Sequence, residues 1–296
     1  MKPCALFLIL GFVAACEKGE ATAPETPAAS PPASAAPKLP VEPVVIARGV
    51  EPLADQGPMV VVSASAIAVD GKLVVPVAGG DVPPEEKQGG AHGLSIPKLT
   101  QFVKARAAVA KDGAAPVRLL VDPAAGARLV FAVIVSTRDG GARAFQLVVA
   151  RPDKSIGALP IELPDSASSG MAVAIDATKK KAPPPEAPAG MIVSATPDKL
   201  ILWSMSGLEG TIDAPKLVVP AEGGRFDSEK LTAALVEIAQ RRWADAGRRP
   251  PDTRSIIVQV DGSLRFEQLA RIIAAVRTRP DGSPLFPDVL LGLGFE

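Results

Sequence analysis

The sequence predicts an α+β fold built twice: two tandem domains, each a small mixed sheet with two helices packed on one face. Three observations predict it. Arg254 to Arg277 reads as a strand, an acidic turn and an amphipathic helix. The same grammar occurs earlier, where Val117 to Val121 runs into Asp122-Pro123 and then the apolar run Leu129 to Val135. Six landmarks, these units among them, recur in the same order along the chain, which is the mark of a duplicated domain.

The later unit shows why each piece takes its form. Ser255 to Val260 is short, β-branched and nearly all apolar, the composition of a strand covered on at least one face. Asp261 and Gly262 break it, and Asp261 or Ser263 can accept hydrogen bonds from the free N–H groups that open the next helix. Phe266, Leu269, Ile272, Ile273 and Val276 then mark one buried stripe at helical spacing. In the earlier unit Asp122 takes the place of Asp261, and Pro123 suits a first helical position.

The other landmarks pair likewise. Met59 to Ala64 matches Met191 to Ala195, and Lys72 to Gly80 matches Lys216 to Gly224. Leu94 to Thr100 corresponds to Phe226 to Thr232, with Ser95 or Asp227 expected at a helix N-cap, an apolar residue before it and a leucine four positions on. Asp139-Gly140 and Asp281-Gly282 follow the second helices, and Ala144 to Val149 and Val289 to Leu293 close each copy as strands. The copies differ by insertions at turns: Asp81 to Gly93 in the first, Trp203 to Pro215 and Ala244 to Thr253 in the second.

The chain of 296 residues is formally neutral, which removes the electrostatic argument for nucleic acid. Tyrosine is absent and there is one histidine, so acid–base chemistry would rest on carboxylates, and the expectation is a non-enzymatic protein without cofactor or metal. Both cysteines, Cys4 and Cys16, fall in the first sixteen residues and leave no disulfide framework for the folded part.

Lys2, the apolar run Ala5 to Ala15 and Val13-Ala14-Ala15-Cys16 read as a signal peptide over residues 1–16, too short to anchor as a span. The tetrapeptide resembles the lipobox of bacterial lipoproteins, which implies cleavage before Cys16 and lipidation of that residue. The alternative is an ordinary secretory signal. Glu17 stands where an aspartate would resemble an inner-membrane retention signal, so the expected place is the periplasm, anchored to the outer membrane. Residues 17–43 are Ala/Pro-rich and form a tether, extended at about 3.1 Å per residue. Residues 44–170 and 171–296 are the two expected domains, and 177–189, with Lys179 to Lys181 and Pro183 to Pro185, reads as a solvated linker.

Few residues invite a chemical role. Asp122 and Asp261 lie in separate copies, and each suits a turn or cap better than a paired acid site. His92 is a lone imidazole in an insertion, read as a surface residue. Arg241, Arg242, Trp243, Arg248 and Arg249 gather four guanidinium groups and an indole within nine residues, a set that can hold peptidoglycan or an acidic partner. The competing reading is a helix end where arginines complement the dipole and Trp243 closes the core.

Each copy reads strand hairpin, helix, strand, aspartate turn, helix, strand, with Asp-Gly after the second helix. This order resembles the periplasmic domain of the ExbD/TolR family of biopolymer-transport proteins, over Val44 to Arg151 and Met171 to Glu296. The resemblance implies association with ExbB/TolQ-like or TonB-like envelope proteins in a proton-motive-force-linked transport system, and peptidoglycan contact of the TolR kind. Family members carry an N-terminal transmembrane helix with a proton-responsive aspartate, whereas Ala5 to Ala15 has no acid. The function expected is therefore a lipid-anchored periplasmic binding or scaffold protein; the alternative is a peptidoglycan-binding envelope lipoprotein without a transport role.

Overall fold

The computed structural model describes residues 41–107, 115–163, 190–222, 225–242 and 255–294. Cys16, the tether up to residue 40, the linker, Trp243, Arg248 and Arg249 lie outside the described residues. Both copies belong to one compact unit, Leu39–Glu296.

The first copy runs β1 (Met59–Val62), β2 (Ala66–Val69), β3 (Lys72–Pro76), α1 (Pro97–Ala107), β4 (Val117–Val121), α2 (Ala127–Asp139), β5 (Phe145–Ala150) and β6 (Ile156–Ile161). The second runs β7 (Met191–Ala195), β8 (Lys199–Ser204), β9 (Leu217–Glu222), β10 (Arg225–Phe226), α3 (Ser228–Arg242), β11 (Ser255–Val260), α4 (Phe266–Arg277) and β12 (Asp288–Leu293). The result is mixed α/β, with two six-stranded sheets ordered β3-β2-β1-β4-β5-β6 and β10-β9-β8-β7-β11-β12. In each, the hairpin strands pair antiparallel, while β1, β4 and β5, like β7, β11 and β12, pair in parallel.

Local chemistry sets the elements. Asp70 and Gly71 take positive φ of 48° and 77°, joining Val69 to Lys72 in the two-residue hairpin loop that Asp-Gly favours. The Asp70 carboxylate accepts from the Met59 N–H at 2.9 Å and fastens the loop to β1. In α2, Leu129 to Ile134 are all buried, so this helix has no polar face there. It packs against α1 and α4. In both copies a threonine on the first helix donates to a carbonyl on the second, Thr100 to Ser136 and Thr232 to Ala275, each at 3.0 Å.

The helix starts depart from the sequence reading at three places. Ser95 does not cap α1. Pro97 fixes the start two residues later, with the Ile96 carbonyl accepting from Thr100, while the Ser95 carbonyl accepts from Gln88 at 2.9 Å. Asp122 and Asp261 do not cap helices either. Each holds its own turn, accepting from Ala124 N–H and Ser263 N–H at 2.8 Å, and the helices open only at Ala127 and Phe266. Pro123 accordingly sits in the turn and not in α2. Asp227 does cap α3, accepting from Glu229 and Lys230 N–H at 3.1 and 2.9 Å.

The free N–H groups of α2 and α4 are satisfied by the opposite copy. Ala127 and Arg128 donate to the carbonyls of Leu264 and Gly262 at 2.7 and 2.9 Å. Phe266 and Glu267 donate to the carbonyls of Ala125 and Pro123 at 2.7 and 3.1 Å. Gly126 and Arg265 pair between the two loops as a bridge. The two aspartate turns thus meet about a pseudo-two-fold axis, and each serves as the N-terminal cap of the other copy's helix. A second junction joins the sheets: Glu162, just past β6, pairs in parallel with Leu290 of β12 through bonds to Val289 and Leu291 of 3.0 Å each. One apolar cluster runs through both copies.

Candidate functional site

The most specific polar chemistry outside the turns lies where the copies meet. Arg277, the last residue of α4, is buried, and its guanidinium donates to the Pro160 carbonyl of β6 at 3.1 Å, to the Pro287 carbonyl and to the Glu51 carboxylate. Burial pulls this guanidinium below the ordinary arginine pKa, while the charge and hydrogen bond of Glu51 oppose that shift. Glu51 belongs to residues 41–58, which precede β1 and of which Val41 and Leu53 lie against the outer face of the first sheet. Its backbone pairs with Ala158 on the edge of β6 at 2.9 Å in both directions. Nearby, Ala54 N–H donates to the Gln146 side chain at 2.9 Å, and Val41 and Leu53 pack on Val61, Leu120 and Val148. Beside Arg277 opens a cleft of about 380 Å³, with Glu162, Asp288 and Val289 in its wall.

This junction binds three pieces of chain together. Arginine remains charged at ordinary pH, and the two terminal nitrogens of Arg277 point at carbonyls and one carboxylate, while its Nε is buried without a partner. Its chemistry is that of a clamp. Among the described residues no group of three or more His, Cys, Asp or Glu is placed to hold a metal ion.

The arginine cluster at the end of α3 divides. Arg241 is exposed and pairs with Glu237 one turn back at 2.6 Å. Arg242 turns inward, contrary to its expected role as a partner contact. Its Nε donates to Glu209 at 2.6 Å, and its second arm reaches the other Glu209 oxygen and Ser206. Glu209 is itself buried; burial alone would raise its carboxyl, but the bonds from Arg242 and Ser204 outweigh this and hold it below the ordinary glutamate value. The inserted loop after β8 therefore neutralises Arg242. Trp243, Arg248 and Arg249 lie outside the described residues.

His92 sits exposed in a short turn over Gly90–His92. Trp203 donates from its indole to Ser194 at 3.0 Å on the outer face of the second sheet. Sequence reasoning missed Glu51, Glu209 and Arg277. No local signal links Arg277 to Glu51, which stands 226 positions away. β6 was also missed, because Pro160 interrupts its apolar run and its strand form comes from pairing with β5.

No family model, no curated protein and no solved structure matches this chain.

Proposed function

We propose that this chain is a lipid-anchored, non-enzymatic binding or scaffold protein of the bacterial periplasm, made of two tandem ExbD/TolR-like units and associated with a proton-motive-force-linked envelope transport system. The observation that supports it best is the recurrence of the same landmarks on the same elements in both copies, joined through their aspartate turns. The turn aspartates, the best acid candidates, are engaged in turn hydrogen bonds, which favours a surface-based role. Attachment is assigned to Cys16, and the partners to ExbB/TolQ-like or TonB-like proteins.

Proximity cross-linking in the native envelope tests the partner. Recovery of a proton-channel subunit is expected, and recovery of peptidoglycan fragments alone would replace this reading with that of a wall-binding lipoprotein. That second reading is weakened by the engagement of Arg242 with Glu209. Attachment is tested separately: Cys16→Ser is expected to move the protein into the soluble fraction, and a mutant that still needs detergent would sink the lipid anchor.

A further inference from the structure

The two copies differ most in the space between the starts of their two helices. In the first copy the chain itself fills that space. Asp81–Gly93 crosses from one helix to the other: Glu86 pairs with Lys98 on α1 at 2.6 Å, and the Ala91 carbonyl accepts from Arg128 on α2 at 3.2 Å. Val82 is buried beneath it, and the Gln88 N–H binds the Ser95 carbonyl in the manner of a short strand. The filler is thus an acidic segment, folded through two short turns at Pro84–Glu86 and Gly90–His92, held by basic groups at two helix starts and by one apolar anchor.

In the second copy the corresponding space, between the starts of α3 and α4, is a cleft of about 410 Å³. Half-buried Phe226 gives it an apolar wall, with the buried Leu200, Leu231 and Ile272 behind, and Arg225, Arg265 and Arg271 stand around it. Glu267 is the one acid in the lining, and it is tied to Arg271 at 2.8 Å. Arg225 and Arg265 are exposed. The cleft therefore has the opposite charge to the first copy's filler and a matching apolar wall.

We infer that the cleft between α3 and α4 binds an acidic peptide from another protein, in the manner in which Asp81–Gly93 occupies its counterpart. Guanidinium groups bind carboxylates through paired N–H donors, and an apolar side chain of the peptide takes the place that Val82 holds in the first copy. The ligand class follows from the cleft and not from where the chain resides, so this assignment and the envelope reading can fail independently.

The probe is a labelled peptide with the sequence Asp81–Gly93, titrated by fluorescence anisotropy against the purified full-length chain at low salt. Saturable binding is expected, weakening as salt is raised. The double variant Arg225→Glu, Arg265→Glu is expected to bind at least about tenfold more weakly, and Arg143→Ala in the first copy to bind as the parent does. A peptide with Asp81→Asn, Glu85→Gln and Glu86→Gln is expected to lose a similar factor on the unaltered protein, which tests charge recognition even if the double variant fails to fold. Absence of binding, or equal binding by the neutral peptide, overturns the assignment.

Discussion

In the first copy the loop Asp81–Gly93 lies across the starts of α1 and α2 and carries its own ion pair, with the Lys87 side chain wholly enclosed and joined to the partly exposed Asp81. In the second copy β9 ends at Glu222 and β10 begins at Arg225, so that site has no such loop, and the long insertion falls instead between β8 and β9. There Glu209 reaches back to Arg242 at the end of α3. The same skeleton has been closed at opposite ends. Inserted residues at a turn are tolerated because they leave the paired strands and helix contacts unchanged, and each insertion then neutralises the charge it buries. The outer faces differ too: Val41 and Leu53 pack on the first sheet, while Val218 and Trp203 on the second sheet are exposed or half-buried.

Substitutions at matching positions separate what the copies share from what each has added. The largest effect is expected at the pseudo-two-fold axis, where Ala127 of one copy faces the role of Phe266 in the other and both are fully buried. Phe266→Ala should cost about 3–5 kcal/mol in urea unfolding through the cavity it leaves, and it should loosen both copies in one transition. Two separate transitions would mean that the copies fold independently.

Glu209→Ala comes next. It leaves Arg242 mostly enclosed without its partner, at a cost of about 2–4 kcal/mol. Because the folded carboxyl lies below the ordinary value of 4.5, its contribution is complete above that pH and fades as pH falls through the depressed folded value. The difference between parent and variant should therefore shrink on acidification below about pH 4.5. A difference that grows there would contradict the ion pair.

Smaller effects probe the shared caps. Ala127→Pro suits a first helical position, and the preceding Gly126 already has the extended φ of −69° and ψ of 146° that proline requires. The substitution removes the N–H that binds Leu264, so thermal denaturation should report a loss of about 1 kcal/mol. A neutral result would show that the bond between copies contributes nothing. Asp122→Ala is expected to be the mildest, about 0.5 kcal/mol, and Asp261→Ala somewhat larger, about 1 kcal/mol, since both hold turns but Asp261 also accepts from the Ser263 hydroxyl. A loss at Asp122 as large as that at Asp261 would show that the Ser263 hydroxyl bond contributes nothing.

The repeated strand, turn and helix units were legible in the sequence because each is written in local terms. Ser255 to Val260 is β-branched, Asp227 stands next to the helix that it caps, and the stripe from Phe266 to Val276 has helical spacing. Other placements were not legible. Ser95 looked like a cap, but Pro97 set the start of α1 and Gln88 claimed the serine carbonyl. Arg242 looked like a surface cation until the loop carrying Glu209 folded onto it. Of the expected binding cluster only Arg241 stands exposed among the described residues.

What the sequence by itself determined was the duplication, the mixed α/β class and the position of most strands and helices, since composition and periodicity act within a few residues. Only the tertiary structure decided how the copies join. The bonds that cap α2 and α4 run between backbone N–H groups and backbone carbonyls of distant turns, and a backbone carbonyl carries no side-chain signature. The clamp at Arg277 was decided in the same way, because its partners at Glu51, Pro160 and Pro287 meet only when both sheets are in place.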